Sequence, residues 1–594
     1  MVEGRGKVKR VNGSLVVVEG LRGAKIGDVV HIGELKLIGE VVRIIGGDVA
    51  LQCYEDTGGL RPGEPVVSTG RPLSAELGPG LIGNIFDGLE FSEMAMWRLT
   101  GPFMKKGVKM TPLDRERKWA FKPSVKRGEK VVEGDVIGVV QETAVVEHRI
   151  LVPVGLRGVL SEVKEGEFTV EDSVALLKTP EGREEELKLM QIWPVRVPRP
   201  YKIRLPAVEP LITGQRVVDS FFPVAKGGTA AIPGGFGTGK TVTLHQLAKW
   251  SDADIIIYVG CGERGNEMAD VITHFPTLED PRTGKKLIER SVFIANVSNL
   301  PVSAREASIY MGITIAEYYR DQGYGVALMA DSTSRWAEAL RDISGRLEEI
   351  PAEGGYPAYL SERVAEFYER SGRVVTLGGG ERIGSVTIMG AVSPPGGDFS
   401  EPVTSLTLRF VGTLWALDTE LAFRRHFPAI NWLLSFSRYT DLLKDYWSKH
   451  DPEWLHFRDR ALTLLEEASK IEETARIIGE KALPEEQRLI LFISEIIREG
   501  FLVQHAYHEV DTYCEPEKQA KMLRFFVELY DSLEPLVRAG VPVEKIRGMP
   551  FVVEAMRLKE RRGVEWIEKV KNEVKTEIEK LAQQYELAIK PVLT

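Results

Sequence analysis

The chain has 594 residues, 43% hydrophobic and 27% charged, the composition of a soluble globular protein long enough for three or four domains. Its 77 lysines and arginines against 86 aspartates and glutamates give a net charge of −9, which argues against a dedicated nucleic-acid binder while leaving room for a local basic channel. Cys53, Cys261 and Cys514 are too far apart for a zinc motif or a disulfide framework, the N-terminal Met-Val-Glu-Gly-Arg-Gly-Lys lacks signal-peptide character, and no apolar run approaches a membrane span. A reducing, cytoplasmic setting fits, with any membrane role coming through a partner.

Residues 1–70 read as all-β. Val8–Val11 and Leu15–Val18 flank Asn12-Gly13, a hairpin signal, and β-branched runs follow at 29–32, 39–45 and 49–53. So many short strands predict a small barrel. Residues 71–115 change character around Pro79-Gly80, with a short helix expected near Phe91–Leu99. Short strands return over 116–190, at 131–132, 136–140, 150–154 and 167–170, and predict an inserted β-rich domain. From about 195 to 435 strands and helices alternate, which predicts a mainly parallel sheet with covering helices. Beyond 436 the chain reads as helical. Ala461, Leu464, Leu465, Ala468, Ile471, Ala475 and Ile478 recur at helix spacing, as do Ile567, Val570, Val574, Ile578 and Leu581, both expected to be core stripes.

The most specific motif is Gly234-Gly235-Phe236-Gly237-Thr238-Gly239-Lys240-Thr241, a complete phosphate-binding loop. The apolar Thr229–Ile232 precedes it, and Val242–Trp250, with Leu244, Leu247 and Ala248 on one face, follows as a helix. Backbone N–H groups in such a loop point at phosphate oxygens, and the helix N-terminus adds partial positive charge. Lys240 is placed for the β- and γ-phosphates and Thr241 for Mg²⁺.

Asp331 ends the apolar strand 326–330, where an acid suits a second-shell role behind Mg²⁺ or caps the next helix. Gly262-Glu263-Arg264-Gly265 follows the strand 254–259. Glu263 is the candidate for polarising the attacking water, with Glu267 the alternative, and Arg264 offers positive charge to the phosphates. Cys261 reads as a small buried residue rather than a reactive thiol. Phe427 and Phe501 suit either base stacking or the core, and position alone favours the core.

Further segments join these residues: 212–216, 227–233, 260–268, 330–338, Ser393–Pro402 and Pro428–Ser437. Together they resemble the catalytic A subunits of archaeal-type and vacuolar-type rotary ATPases over almost the whole chain. The resemblance implies an N-terminal β-barrel, a RecA-like P-loop nucleotide domain (71–115 and 191–435), a bulge insert (116–190) and a C-terminal helical bundle (436–594). It implies a P-loop ATPase that hydrolyses or makes Mg-ATP, coupled to H⁺ or Na⁺ movement through partners. Lys240, Glu263 and Arg264 would be catalytic, Gly234 to Val242 would contact nucleotide, and Phe427, Phe501 and Gln504 would line the adenine side. Three copies would alternate with three B subunits in an A3B3 ring around a central stalk, with an arginine supplied in trans. The chain would then be peripheral to the membrane, with its rotor reached only through partners.

Two positions depart from relatives. Gly235 stands where proline is usual, which loosens the loop, and Thr238 stands where some eukaryotic relatives have cysteine. The rival readings are a helicase-like or termination ring, which needs nucleic acid, a secretion-type ATPase, which lacks the insert, and a regulatory ring component without turnover.

Overall fold

The computed structural model describes residues 4–101, 105–298, 300–587 and 591–593. The chain forms two compact units. The first comprises the chain up to Pro206, Lys226–Thr229 and Ala253–Phe410; the second comprises Ala207–Ala225, Ala230–Asp252 and Val411 onward.

In the first unit, six strands from Arg5–Asn12 to Pro65–Pro72 close into an antiparallel barrel. The hairpin turns at Gly13, whose φ of 58° is the left-handed conformation that glycine adopts freely, and pairs Asn12 with Leu15. Alternate residues point inward, so Val16, Val18, Val30, Ile32, Leu51 and Val66 make the barrel core. Closure leaves no unpaired edge.

Two four-stranded antiparallel sheets follow, one running from Trp119–Pro123 to Gly166–Phe168 and the other from Lys130–Val131 to Glu184–Lys188. A fully buried polar chain ties this insert to the helix Val302–Asp321. His148 Nδ1 meets Glu142 at 2.6 Å, His148 Nε2 meets the Tyr318 hydroxyl at 2.8 Å, and Tyr319 donates to Glu142 at 3.0 Å. Each group has a partner, as burial of polar atoms requires. The expected short helix forms at Glu93–Thr100, where Ser92 caps Ala95 N–H.

The first unit also holds the parallel strands Ile383–Val392, Gly325–Asp331, Ile255–Glu263 and Ser291–Val297, side by side in that order. Their near-continuous Val, Ile and Ala runs suit burial on both faces.

The second unit contains the strand Thr229–Pro233 from Ala230 on, paired in parallel with Thr413–Leu414, and the helix Lys240–Trp250. Four long helices follow: Trp454–Ile478, Glu485–Ile497, Pro516–Arg538 and Glu565–Gln584. The stripe Ile567 to Leu581 is buried throughout. The earlier stripe overreaches: Ala461 to Ala468 are buried, but Ile478 is 52% exposed, because the helix end projects past its packing partners. Among the described residues no helix is long and apolar enough to cross a membrane.

Candidate active site

The phosphate loop lies wholly in the second unit. A Cβ on Gly234 would come within 2.6 Å of Thr238 Oγ1 and 2.7 Å of Leu417 Cβ, so only glycine fits there. Gly239 caps the helix Lys240–Trp250 with φ 87°, which directs the first helical N–H groups into the loop. Thr238 Oγ1 donates to Gly235 O at 2.8 Å. Lys240 Nζ donates to Gly234 O at 2.7 Å and Gly235 O at 3.0 Å, which holds an ammonium over the loop. Phe236 is 82% exposed at the tip, Gly237 has φ 77°, Thr241 is half-buried and Val242 is exposed. A Cβ on Gly235 would meet only Thr419 Oγ1, at 3.5 Å, so this position does not demand glycine.

Phe427 is brought to the loop: a Cβ on Gly239 would sit 3.6 Å from its ring. The ring is 41% exposed, which leaves surface for a flat apolar ligand. Gln504 N–H donates to Phe427 O at 2.8 Å and so fixes that turn.

The structure corrects two expectations here. The ring of Phe501 is fully buried, edge-on to Phe221 and Phe526, and offers no face to a base. The side chain of Gln504 is also buried: its Nε2 donates to Gly214 O at 2.8 Å and its Oε1 accepts Arg216 N–H at 2.8 Å. Both residues are scaffold. Arg216 completes that scaffold, donating to Phe501 O at 2.6 Å and Val503 O at 2.8 Å and pairing with Asp511 at 2.7 Å, both charges fully buried. Three residues beyond Gln504, Tyr507 is 89% exposed.

Glu263, Arg264 and Asp331 belong to the first unit. Gly260 pairs with Asp331 across neighbouring parallel strands, so Glu263 and Asp331 leave the sheet at the same carboxyl edge, where α/β sheets place ligand groups. Gly262 sits, with φ 72°, where the pairing register shifts near the strand's end: a Cβ there would lie 2.8 Å from both Arg305 Cδ and Arg335 Cβ. Asp331 is buried and accepts the Tyr258 hydroxyl at 3.0 Å. Burial, then the Asp331 charge, push the Glu263 carboxyl up to about 7, the range that suits a general base near neutrality. Arg264 is exposed at the start of the helix Gly265–His274, and Glu267 is half-buried in its first turn. Cys261 is buried, its thiol pushed up to about 12 by burial, which makes it an inert core residue.

Among the described residues no group of three or more His, Cys, Asp or Glu side chains is arranged to hold a metal ion. Within the second unit the loop offers the hydroxyl of Thr241 as an oxygen donor. Hard oxygen donors in small number suit Mg²⁺, which takes most of its remaining ligands from phosphates and water.

Comparison with known proteins bears on the whole chain. Residues 8–70 match the model of the ATP synthase alpha/beta family beta-barrel domain, and 110–196 that of the ATP synthase alpha/beta barrel-sandwich domain. Residues 214–437 match the alpha/beta family nucleotide-binding domain, and 443–547 the C-terminal domain of V and A type ATP synthase. The chain is similar to the A subunit of the A-type ATP synthase of Thermofilum pendens, at 57% identity over 98% of this chain and 97% of that protein. It is 56% identical to its counterpart in Thermococcus kodakarensis over 98% and 100%, and 54% identical to that of Methanopyrus kandleri over 98% and 99%. The assembled ATPase EscN of the enteropathogenic E. coli type III secretion system covers 88% of this chain and 100% of its own, with a TM-score of 0.62 at 22% identity, a likeness of fold.

Proposed function

From the premise that the chain belongs to the A-subunit family of A-type ATP synthases, we propose the following division of labour among its residues. The protein is an ATP-hydrolysing and ATP-synthesising enzyme, its substrate is a nucleotide, and it works as one component of a multisubunit complex. The loop N–H groups and the helix N-terminus at Lys240 cradle the phosphates. Lys240 exchanges the carbonyls of Gly234 and Gly235 for β- and γ-phosphate oxygens, where its charge grows in value as the terminal bond breaks. Phe427 and the exposed Tyr507 hold the base by stacking.

Glu263 takes a proton from the attacking water in hydrolysis and returns it in synthesis. Arg264 contacts the phosphate oxygens. Asp331 keeps Glu263 basic through its negative charge and stands behind the metal. Thr241 would hold Mg²⁺ through its hydroxyl, and the ion would neutralise charge on the leaving phosphates. One nucleotide-domain match, over 214–437, takes in the loop, Glu263 and Asp331 together, which supports assigning them to one reaction.

The partner proposed is a B-type chain in a three-plus-three ring, which contributes an arginine in trans. A central stalk and membrane components carry rotation and ion transport, so this chain is peripheral to the membrane. The observation that carries the reading is Lys240 seated over a complete loop at a helix N-terminus. Lys240→Ala is expected to weaken binding of a fluorescent ATP analogue by about a hundredfold; unchanged affinity refutes the assignment.

A further inference from the structure

The helical unit contains a cavity of about 820 Å³ that none of residues 234–242 lines. Arg424, Arg425, Arg476, Arg498, Arg547 and Lys559 stand on its walls against four glutamates. Three of those glutamates are already engaged: Glu472 holds Arg498 at 2.7 Å, and Glu480 and Glu495 hold Arg547 at 3.2 and 3.5 Å. Arg425 and Arg476 have no carboxylate partner among the described residues. Lys559 is 7% exposed, and its Nζ donates to backbone carbonyls, those of Glu499 at 2.6 Å and Val503 at 3.4 Å. Burial lowers this ammonium below its ordinary range, and Asp511, Glu499 and Glu560 oppose that shift only in part, so an approaching anion would offset more of the cost of burial. The indole N–H of Trp432, on the same wall, is buried and has no hydrogen-bond partner among the described residues.

The walls therefore offer unused donors and surplus positive charge in a space that fits two or three linked phosphates. We propose that this cavity binds a phosphate-bearing anion, separately from the phosphate loop, through Arg425, Arg476 and Lys559. Planar guanidinium groups suit phosphate oxygens in paired hydrogen bonds. The local field agrees: burial first, then Arg498 and Lys559, lower His426 on this wall to about 4. His426 is followed directly by Phe427, which lies against Gly239, so an anion held here bears on the turn that carries the base-stacking ring.

The proposal does not rest on the assignment of the loop, and one experiment separates the two. Equilibrium dialysis of labelled pyrophosphate against the full chain is expected to find two sites, and Lys240→Ala to remove one. In that background Arg425→Ser and Arg476→Ser each weaken the remaining site about tenfold, the worth of a charge-assisted hydrogen bond. Both arginine side chains are exposed and have no hydrogen-bond or carboxylate partner among the described residues, so their replacement leaves the fold intact. Competition by orthophosphate assigns the site to free phosphate species, and competition by ATP assigns it to nucleotide phosphates. A Lys240→Ala chain that binds no pyrophosphate, or binds it with an affinity indifferent to both arginine substitutions, overturns the proposal. Two sites persisting in Lys240→Ala would instead count against the loop.

Discussion

Replacing Glu263 with glutamine separates what the side chain does for the reaction from what it costs the fold. The carboxyl ionises at about 7 in the folded chain against an ordinary 4.5. Between those values the folded state holds a proton that the unfolded state has released, so stability falls as the pH rises through that window. At 1.36 kcal/mol per pH unit the loss above pH 7 is about 3 kcal/mol, or nearer 2 once solvent access to a half-buried side chain is allowed for. Glutamine cannot ionise and escapes this loss. Urea titrations at a series of pH values should show the Glu263→Gln chain about 2–3 kcal/mol more stable than the parent at pH 8, with the gap closing towards pH 4.5. In the assembled complex the same variant should bind ATP and fail to hydrolyse it, and the parent's rate should fall as the pH drops below about 7 and the base becomes protonated. Stability curves that run parallel across pH would refute the origin assigned to the shift; unchanged hydrolysis would refute the role of base.

Arg216→Met leaves the Asp511 carboxylate buried without its counter-charge, and should cost about 3–5 kcal/mol, read as a lower urea midpoint; a neutral effect would show that the pair is no strut. Phe501→Leu should cost less than about 1.5 kcal/mol of stability and leave ATP affinity unchanged, because the ring is enclosed. Tyr507→Ala should leave stability unchanged and weaken ATP binding by about 1–3 kcal/mol; calorimetric titration showing the opposite pattern would restore Phe501 to the base pocket. Gly235→Ala should stabilise the chain by about 0.4–1 kcal/mol, since the new methyl meets only Thr419 Oγ1 at 3.5 Å. Loss of ATP binding in that variant would mean the loop needs glycine freedom there.

The phosphate loop was legible in the sequence because its geometry is local. Close approach at Gly234, left-handed φ at Gly239 and the lysine one residue later are read at fixed offsets. That Glu263 and Asp331 share one sheet edge was legible because parallel strands release their carboxyl ends together. The barrel was legible from period-two alternation and the Asn12-Gly13 turn. Phe501 and Gln504 were misread because their fate depends on Arg216 and Gly214, nearly three hundred residues away in sequence. No local pattern announces a guanidinium that gathers the carbonyls of Phe501 and Val503. Ile478 was misread for the opposite reason: helical periodicity continues to the end of a helix whether or not anything lies beneath it.

The second unit is stitched from three separate stretches of chain, and this limits how the molecule can be divided. A polypeptide starting at Val411 would possess Asp511 without Arg216, and Tyr513 without Gly214, on which a single added methyl would already collide with the Tyr513 ring. Such a fragment inherits the helices but not the residues that lock them. Dissection by truncation is therefore expected to yield an aggregating remnant, and grafting the helical end onto another protein would require transplanting the 207–225 and 230–252 stretches with it.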